Sequence, residues 1–262
     1  VALYLLIAVI LAIFLLPFVY TISPYQLDPT KILQAPSFEH LFGTDRLGPD
    51  MFARVLNGGQ TSLIIGFLAA SISSIVGLFI GINAGYFKGN IDKTITIMID
   101  LFLTFPTFFL LLALVSYIQA SALILIIVIS ITSWMGMARM IRSESFAIGN
   151  KPFIKILKVA NVSTFKIIFK YFAPLLAPIF LISFTFGVGG SILAESGLSF
   201  LGLGVNPPSM SWGSLLSDGK AVIDIAWWVS FFPGLMIFLI TFCLIQISDY
   251  LQTLANSKEI VA

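Results

Sequence analysis

Apolar runs long enough to cross a bilayer alternate along this chain with shorter polar connections. A spanning helix needs roughly 20 mostly apolar residues. Six segments meet that requirement: Val1–Tyr20, Ser62–Phe87, Thr94–Ile118, Ala122–Ile141, Phe172–Leu193 and Ile225–Ile247. The stretch LILIIVI, Leu123 to Ile129, is apolar on every side, which is not the alternation of a transmembrane barrel strand. An isolated strand in lipid leaves its backbone unsatisfied, so each run is expected to be helical. The predicted fold class is an all-α integral membrane protein, one domain over 1–262 with six transmembrane helices. Two longer connections, 21–61 and 194–224, lie on one face, and a segment at 143–171 between the fourth and fifth spans lies on the other.

That last segment breaks the pattern. NKPFIKILKVANVSTFKIIFKYFAP, Asn150 to Pro174, carries Lys151, Lys155, Lys158, Lys166 and Lys170 and no acid. Phe153, Ile156, Leu157 and Ala160 recur at the spacing of one helical face, with the lysines around the other side. Pro152 suits a first helical turn. Asn161 can adopt the left-handed conformation that ends a helix, and Ser163 can cap the next. Phe165, Ile168, Phe169 and Phe172 repeat the spacing, and Pro174 lies one turn into the following span. The pattern predicts two short helices at the membrane surface, joined by a tight polar turn. They serve either as an interfacial pair whose lysines meet anionic lipid or as a docking element for a soluble partner.

Composition agrees with the spans. The chain is 58% hydrophobic and 10% charged, where soluble domains are about one quarter charged. A net charge of +2 gives no reason to expect nucleic acid. Cys243 is the single cysteine, so there is no disulfide framework and no cysteine-based metal site. The chain opens at Val1 in an apolar run with no basic stretch ahead of it. No signal peptide is read there, and a short polar N-terminus is expected before it.

Ten basic residues fall on the face of the lysine-rich segment: Lys88, Lys93, Arg139, Arg142, its five lysines and Lys258. Four fall opposite: Lys31, Arg46, Arg54 and Lys220. The positive-inside rule then places that segment and both termini in the cytoplasm.

Three further stretches bear a resemblance. HLFGTDRLGPDMFARVLNGGQTSL runs from His40 to Leu63, IDLFLTFP from Ile99 to Pro106, and ESGLSFLGLGVNPPSMSWGSLLSDG from Glu195 to Gly219. In content and spacing they resemble the inner-membrane permease subunits of bacterial ATP-binding-cassette importers for peptides and nickel, of the type that pairs with a second, different permease. Pro49, Ala53 and Gln60 depart from the family's pattern. The resemblance implies half of a translocation pathway for peptides, or for nickel and metal chelates. It implies a second permease subunit, two ATPase subunits that bind the ATP and magnesium, an extracytoplasmic solute-binding protein, and a bacterial inner membrane. No cofactor is expected on this chain, and the chain itself is not expected to be an enzyme.

The resemblance also places the family's coupling loop on the lysine-rich segment. Its Glu-Ala-Ala falls on Lys155, Ile156 and Leu157, its Gly on Asn161, and its Leu-Pro on Ala173 and Pro174. Docking on an ATPase subunit then becomes the preferred reading, with the acid replaced by Lys155. The expected docking residues are Phe153, Lys155, Ile156, Leu157, Lys158, Ala160, Asn161, Ser163 and Pro174.

Other residues carry narrower expectations. Asp100 is the one acid deep in a span, and with Pro106, Glu195 and Phe200 it is a candidate for the pathway or a gate; the plainer reading makes Asp100 a structural partner to Arg139 or to backbone on a neighbouring helix. Gly77, Gly81 and Gly85 recur every four residues and would let another helix approach closely, inside the bundle or on the partner permease. Gly187, Gly189, Gly190 and Gly197 are expected to loosen the fifth span near its outer end. Trp212, Trp227 and Trp228 suit an interfacial belt, and the stretch around Pro207 and Pro208 suits a cap over the outer mouth. His40 stands alone and makes no metal site. No phosphate-binding loop or nucleophile–base pair is present. The rival reading, a self-sufficient secondary transporter, would need charged or broken-helix sites near the midplane and repeat symmetry.

Overall fold

A computed structural model of the chain describes residues 1–118 and 121–261, by backbone alone from 256 onward. Lys258, counted above for orientation, lies outside the described side chains. The elements are helices throughout: α1 (Ala2–Val19), α2 (Met51–Phe87), α3 (Gly89–Thr104), α4 (Thr107–Val115), α5 (Ala122–Asn150), α6 (Pro152–Val159), α7 (Thr164–Ile167), α8 (Ala173–Phe200), α9 (Trp212–Lys220) and α10 (Trp228–Val261). A π-helical turn, Ile168–Phe172, joins α7 to α8. Five helices are long and apolar enough to span a bilayer, and the bent pair α3 and α4 makes a sixth crossing.

Several boundaries differ from the sequence expectation. α2 starts at Met51 rather than Ser62, because the Asp50 side chain accepts a 2.8 Å hydrogen bond from the Ala53 amide and caps the helix there. Hydropathy cannot register this first stretch, which carries Arg54, Asn57 and Gln60. The third span is not one helix. Phe105 is extended (φ −87°, ψ 135°) ahead of Pro106, and α3 and α4 diverge by 79°. Proline biases its predecessor away from helical backbone, so the break falls where the chemistry puts it. α5 runs on to Asn150, α8 to Phe200 and α10 to Val261, so parts of the predicted connections are helical. Gly187, Gly189, Gly190 and Gly197 do not interrupt α8.

α2 is the centre of the bundle, packed on α5 and α8, while α10 packs on α8 and α9. The α2–α5 contact is closest at the glycine repeat. A Cβ placed on Gly77 would lie 2.7 Å from the Met137 Cβ. One on Gly81 would lie 2.7 Å from the Ala138 carbonyl oxygen, and one on Gly85 2.5 Å from the Ser145 Cβ. Of the two uses expected for this repeat, it serves the interior of the bundle.

Trp212 and Trp228 are not belt residues. Both are buried, and their indole N–H groups donate to the Val55 and Thr44 carbonyls at 2.9 and 3.0 Å. A buried indole needs a partner for its N–H, and each finds one in the chain. Only Trp227 is exposed.

At this end of the bundle, charge pairs tie the first long connection to α2 and α9. Arg54 pairs with buried Asp45 and, at 3.4 Å, with Asp218; Arg46 meets Asp218 at 2.9 Å. His40 is buried with its Nδ1 2.8 Å from the Asp50 carboxylate. Among the described residues no cluster of three His, Cys, Asp or Glu is placed to hold a metal.

Candidate functional site: a helix pair at the end of the bundle

The opposite end carries the lysine-rich segment. Lys151 is extended and ends α5, and Pro152 occupies the first turn of α6. The chain then closes a tight turn. The Ala160 amide donates to the Ile156 carbonyl at 2.9 Å and the Val162 amide to the Leu157 carbonyl at 3.1 Å, while Asn161 takes φ +54°. This is a left-handed helix stop at the residue the sequence singled out. Ser163 occupies the N-cap of α7, but its side chain makes no capping hydrogen bond.

The second predicted short helix is not separate. α7 passes through the π turn directly into α8, and the Ala173 amide donates to the Ile168 carbonyl. Pro174 has no N–H and sits inside this continuous run, where a wider turn accommodates it.

The residue that α6 buries most deeply lies outside the apolar face read from its spacing. Ile154 is fully buried and Leu157 half-buried, packed with Ile82, Tyr86, Ile148, Ile167 and Phe172. Phe153, Ile156 and Ala160, which share one helical face with Leu157 and are among the expected docking residues, are exposed. Val159 (84% exposed) and Phe165 (70%) extend that exposed edge. Phe169 is exposed too, with its ring 4.3 Å from Phe165. FIKILKVA is apolar around most of its circumference, so two stripes fitted helical spacing and only packing chose between them. Lys158 does not project freely: its Nζ lies 4.1 Å over the Tyr86 ring at the end of α2. Lys155 is exposed on the open side. A second strut lies nearby, where the Lys88 Nζ donates to the Asn150 side chain at 2.6 Å.

The pathway candidates are not brought together. Pro106 stands at the α3–α4 break. Glu195 lies within α8 rather than in a connection and is fully buried, accepting hydrogen bonds from the Ser62 hydroxyl at 3.0 Å and the Ser199 hydroxyl at 2.6 Å. It therefore pins α2 to α8 and faces no open space in this chain. Phe200 ends α8 with the Lys220 Nζ 5.4 Å from its ring. Asp100 pairs with Arg139, and both are more than half exposed.

A bundle of long apolar helices, with one broken crossing and a braced helix pair presenting an apolar edge, defines a multi-pass membrane component. The comparison with known proteins gives the family. The profile described as "Binding-protein-dependent transport system inner membrane component" matches residues 77–258, and the chain belongs to this family of permease subunits. It is similar to the oligopeptide transport system permease protein OppC of Haemophilus influenzae, at 33% identity over 253 residues, 96% of this chain and 81% of that protein. It is also similar to the dipeptide transport system permease protein DppC of Alkalihalophilus pseudofirmus, at 36% identity over 251 residues, 95% of this chain and 82% of that protein. In fold it is similar to a chain of the MetNI methionine ABC transporter in inward-facing form, with a TM-score of 0.61 at 15% identity, covering 77% of this chain and 97% of that one. The protein is thus a multi-pass inner-membrane permease subunit that works with other components of an ATP-binding-cassette importer.

Proposed function

We propose that this chain forms half of the translocation pathway of a peptide importer. Peptide is the cargo because the chain is similar to oligopeptide and dipeptide permeases along nearly its whole length. In this reading a second permease completes the pathway and two ATPase subunits dock from the cytoplasm, where both termini lie. A solute-binding protein delivers peptide from outside. ATP and magnesium bind on the ATPase subunits, and this chain holds neither.

The observation that carries the reading is the outward edge of α6 and α7, where Ile156, Val159 and Phe165 are each at least two-thirds exposed beyond the spans. Exposed apolar edges of this kind mark interaction sites. The segment can transmit movement because it is braced on both sides, by Ile154 and Lys158 against α2 and by the unbroken run from α7 into α8. Closure of the ATPases would push on α6, and α8 would tilt as one body with it, shifting the balance between inward- and outward-open states.

Val159→Asp tests this. The side chain is almost fully exposed, so the chain should fold and reach the membrane normally. A carboxylate placed in the docked interface should lower recovery of the ATPase subunits with the purified chain, and ATP-driven uptake, by about tenfold or more. Undiminished recovery and uptake would show instead that the pair lies on lipid. Lys155→Glu probes the charge of the contact in the same assay. Lys158→Glu does not, because it also removes the brace on Tyr86.

A further inference from the structure

His40 is the single histidine of the chain, and it is buried at the end of the bundle opposite the lysine-rich segment. Both of its ring nitrogens face charged groups. Nδ1 lies 2.8 Å from the carboxylate of Asp50, which starts α2. Nε2 lies 3.4 Å from the Lys31 Nζ and 3.9 Å from a carboxylate oxygen of Glu39. Lys31 and Glu39 are also paired with each other. The other charged and titratable groups around the ring are already engaged. From α1, the Tyr20 hydroxyl donates to Asp50 at 3.1 Å. On the same connection, the Asp28 carboxylate accepts from the Thr30 amide and hydroxyl, and Asp45 pairs with Arg54 of α2. α10 meets the connection through Trp228 and Phe232, which carry no charge.

These contacts assign the tautomer. An ammonium group only donates, so Nε2 accepts from Lys31. The ring proton is then on Nδ1, where it donates to Asp50, a carboxylate that only accepts. A second ring proton would upset this order, and imidazoles take one up between about pH 5 and 8. Nε2 would then carry an N–H, and the charged ring would face the Lys31 ammonium. Lys31 would lose its acceptor, while Glu39, already on that side, could accept from Nε2. The Nδ1 bond to Asp50 would stay and gain charge assistance. The side chains differ in their freedom to respond. Lys31 and Glu39 are 33% and 69% exposed, whereas those of His40 and Asp50 are 7% and 0%.

We propose that His40 is a proton-operated exchange of partners: the neutral ring holds Lys31 at Nε2, and the protonated ring releases Lys31 and holds Glu39. The proton comes from the medium bathing this end of the bundle and stays on Nε2. In neutral medium the face presents a closed Lys31–Glu39 pair. In acid medium it presents a free ammonium, and a partner docking here meets one more positive charge. The exchange goes beyond the peptide-importer reading and does not depend on the cargo.

The test uses the full chain in lipid nanodiscs, free of any histidine tag and labelled with 15N in histidine, so that His40 gives the only ring signals. At about pH 8 the spectrum should show one tautomer, protonated at Nδ1, and at about pH 5 both nitrogens should carry protons. Lys31→Met should move this change to higher pH and Glu39→Gln to lower pH. Both side chains reach the surface, so these variants should fold. The exchange itself is read on Lys31. At about pH 6 an amine-specific reagent should label Lys31 several-fold faster in the unaltered chain than in His40→Gln, whose amide can donate to Asp50 and accept from Lys31 but takes up no proton. At about pH 8 the two rates should match, and comparison at one pH cancels the reagent's own pH dependence. The ring spectra of the Lys31 and Glu39 variants carry the test if His40→Gln fails to fold. A proton on Nε2 in the neutral ring, no second proton by about pH 5, or shifts of the same sign in the two surface variants would each overturn the proposal. Equal labelling of Lys31 with and without the histidine at about pH 6 would do the same.

Discussion

Gly81→Val is expected to unfold the bundle or prevent its assembly, because the space a side chain would need is occupied by backbone. The new Cβ would stand 2.7 Å from the Ala138 carbonyl oxygen and 2.8 Å from the Ile141 Cβ. A flexible side chain could turn aside, but a helix carbonyl cannot move without carrying α5 with it. Overpacking of this kind costs roughly 1–3 kcal/mol when the core can adjust, and more when it cannot. Gly77 and Gly85 meet α5 in the same way along the same line, so displacing the helix at one rung loosens the others. Thermal unfolding of the purified complex should show the largest loss for Gly81→Val. Gly136→Ala should leave the midpoint near its original value, since open space surrounds that position. Equal midpoints for the two variants would mean that α2 and α5 do not meet at this line.

Replacing Arg54 by Leu should be the second most damaging change, at the other end of the molecule. Asp45 is 1% exposed, and Arg54 is its cation. Arg54 also reaches Asp218, which links α2 to α9. Without the guanidinium a buried carboxylate stands uncompensated, a situation that costs about 3–5 kcal/mol. The cap formed by the first connection and α9 should loosen, and limited proteolysis should cut there earlier. A double-mutant cycle isolates the cause. Adding Asp45→Asn to Arg54→Leu should recover much of the stability, because the stranded charge is gone. If the double variant is no better than the single, Arg54 acts through packing and not through the pair.

The spans, the amphipathic segment and the stop at Asn161 were all legible in the residues, because each rests on chemistry local in sequence. Hydropathy over a window of span length does not depend on what the helix touches, and Asn161 next to Val162 and Ser163 announces a turn wherever it sits. The early start of α2 was visible in principle, since Asp50 is a good capping residue; a polar first turn concealed it from a reading based on apolar runs. Pro106 stood out in the residues as well, yet a proline in an apolar run is compatible with a kink or with a full break.

What the sequence determined alone is the class of molecule: helices in lipid, their number, and a basic segment between the fourth and fifth of them. The close α2–α5 seam, the side of α6 that is buried, the retreat of Trp212 and Trp228 from the surface, and the burial of Glu195 were decided only by the tertiary structure. The reason is common to all four. A residue's own periodicity states which face is apolar, but in a chain that is apolar on nearly every face, only the shape of the neighbour settles which of them is covered.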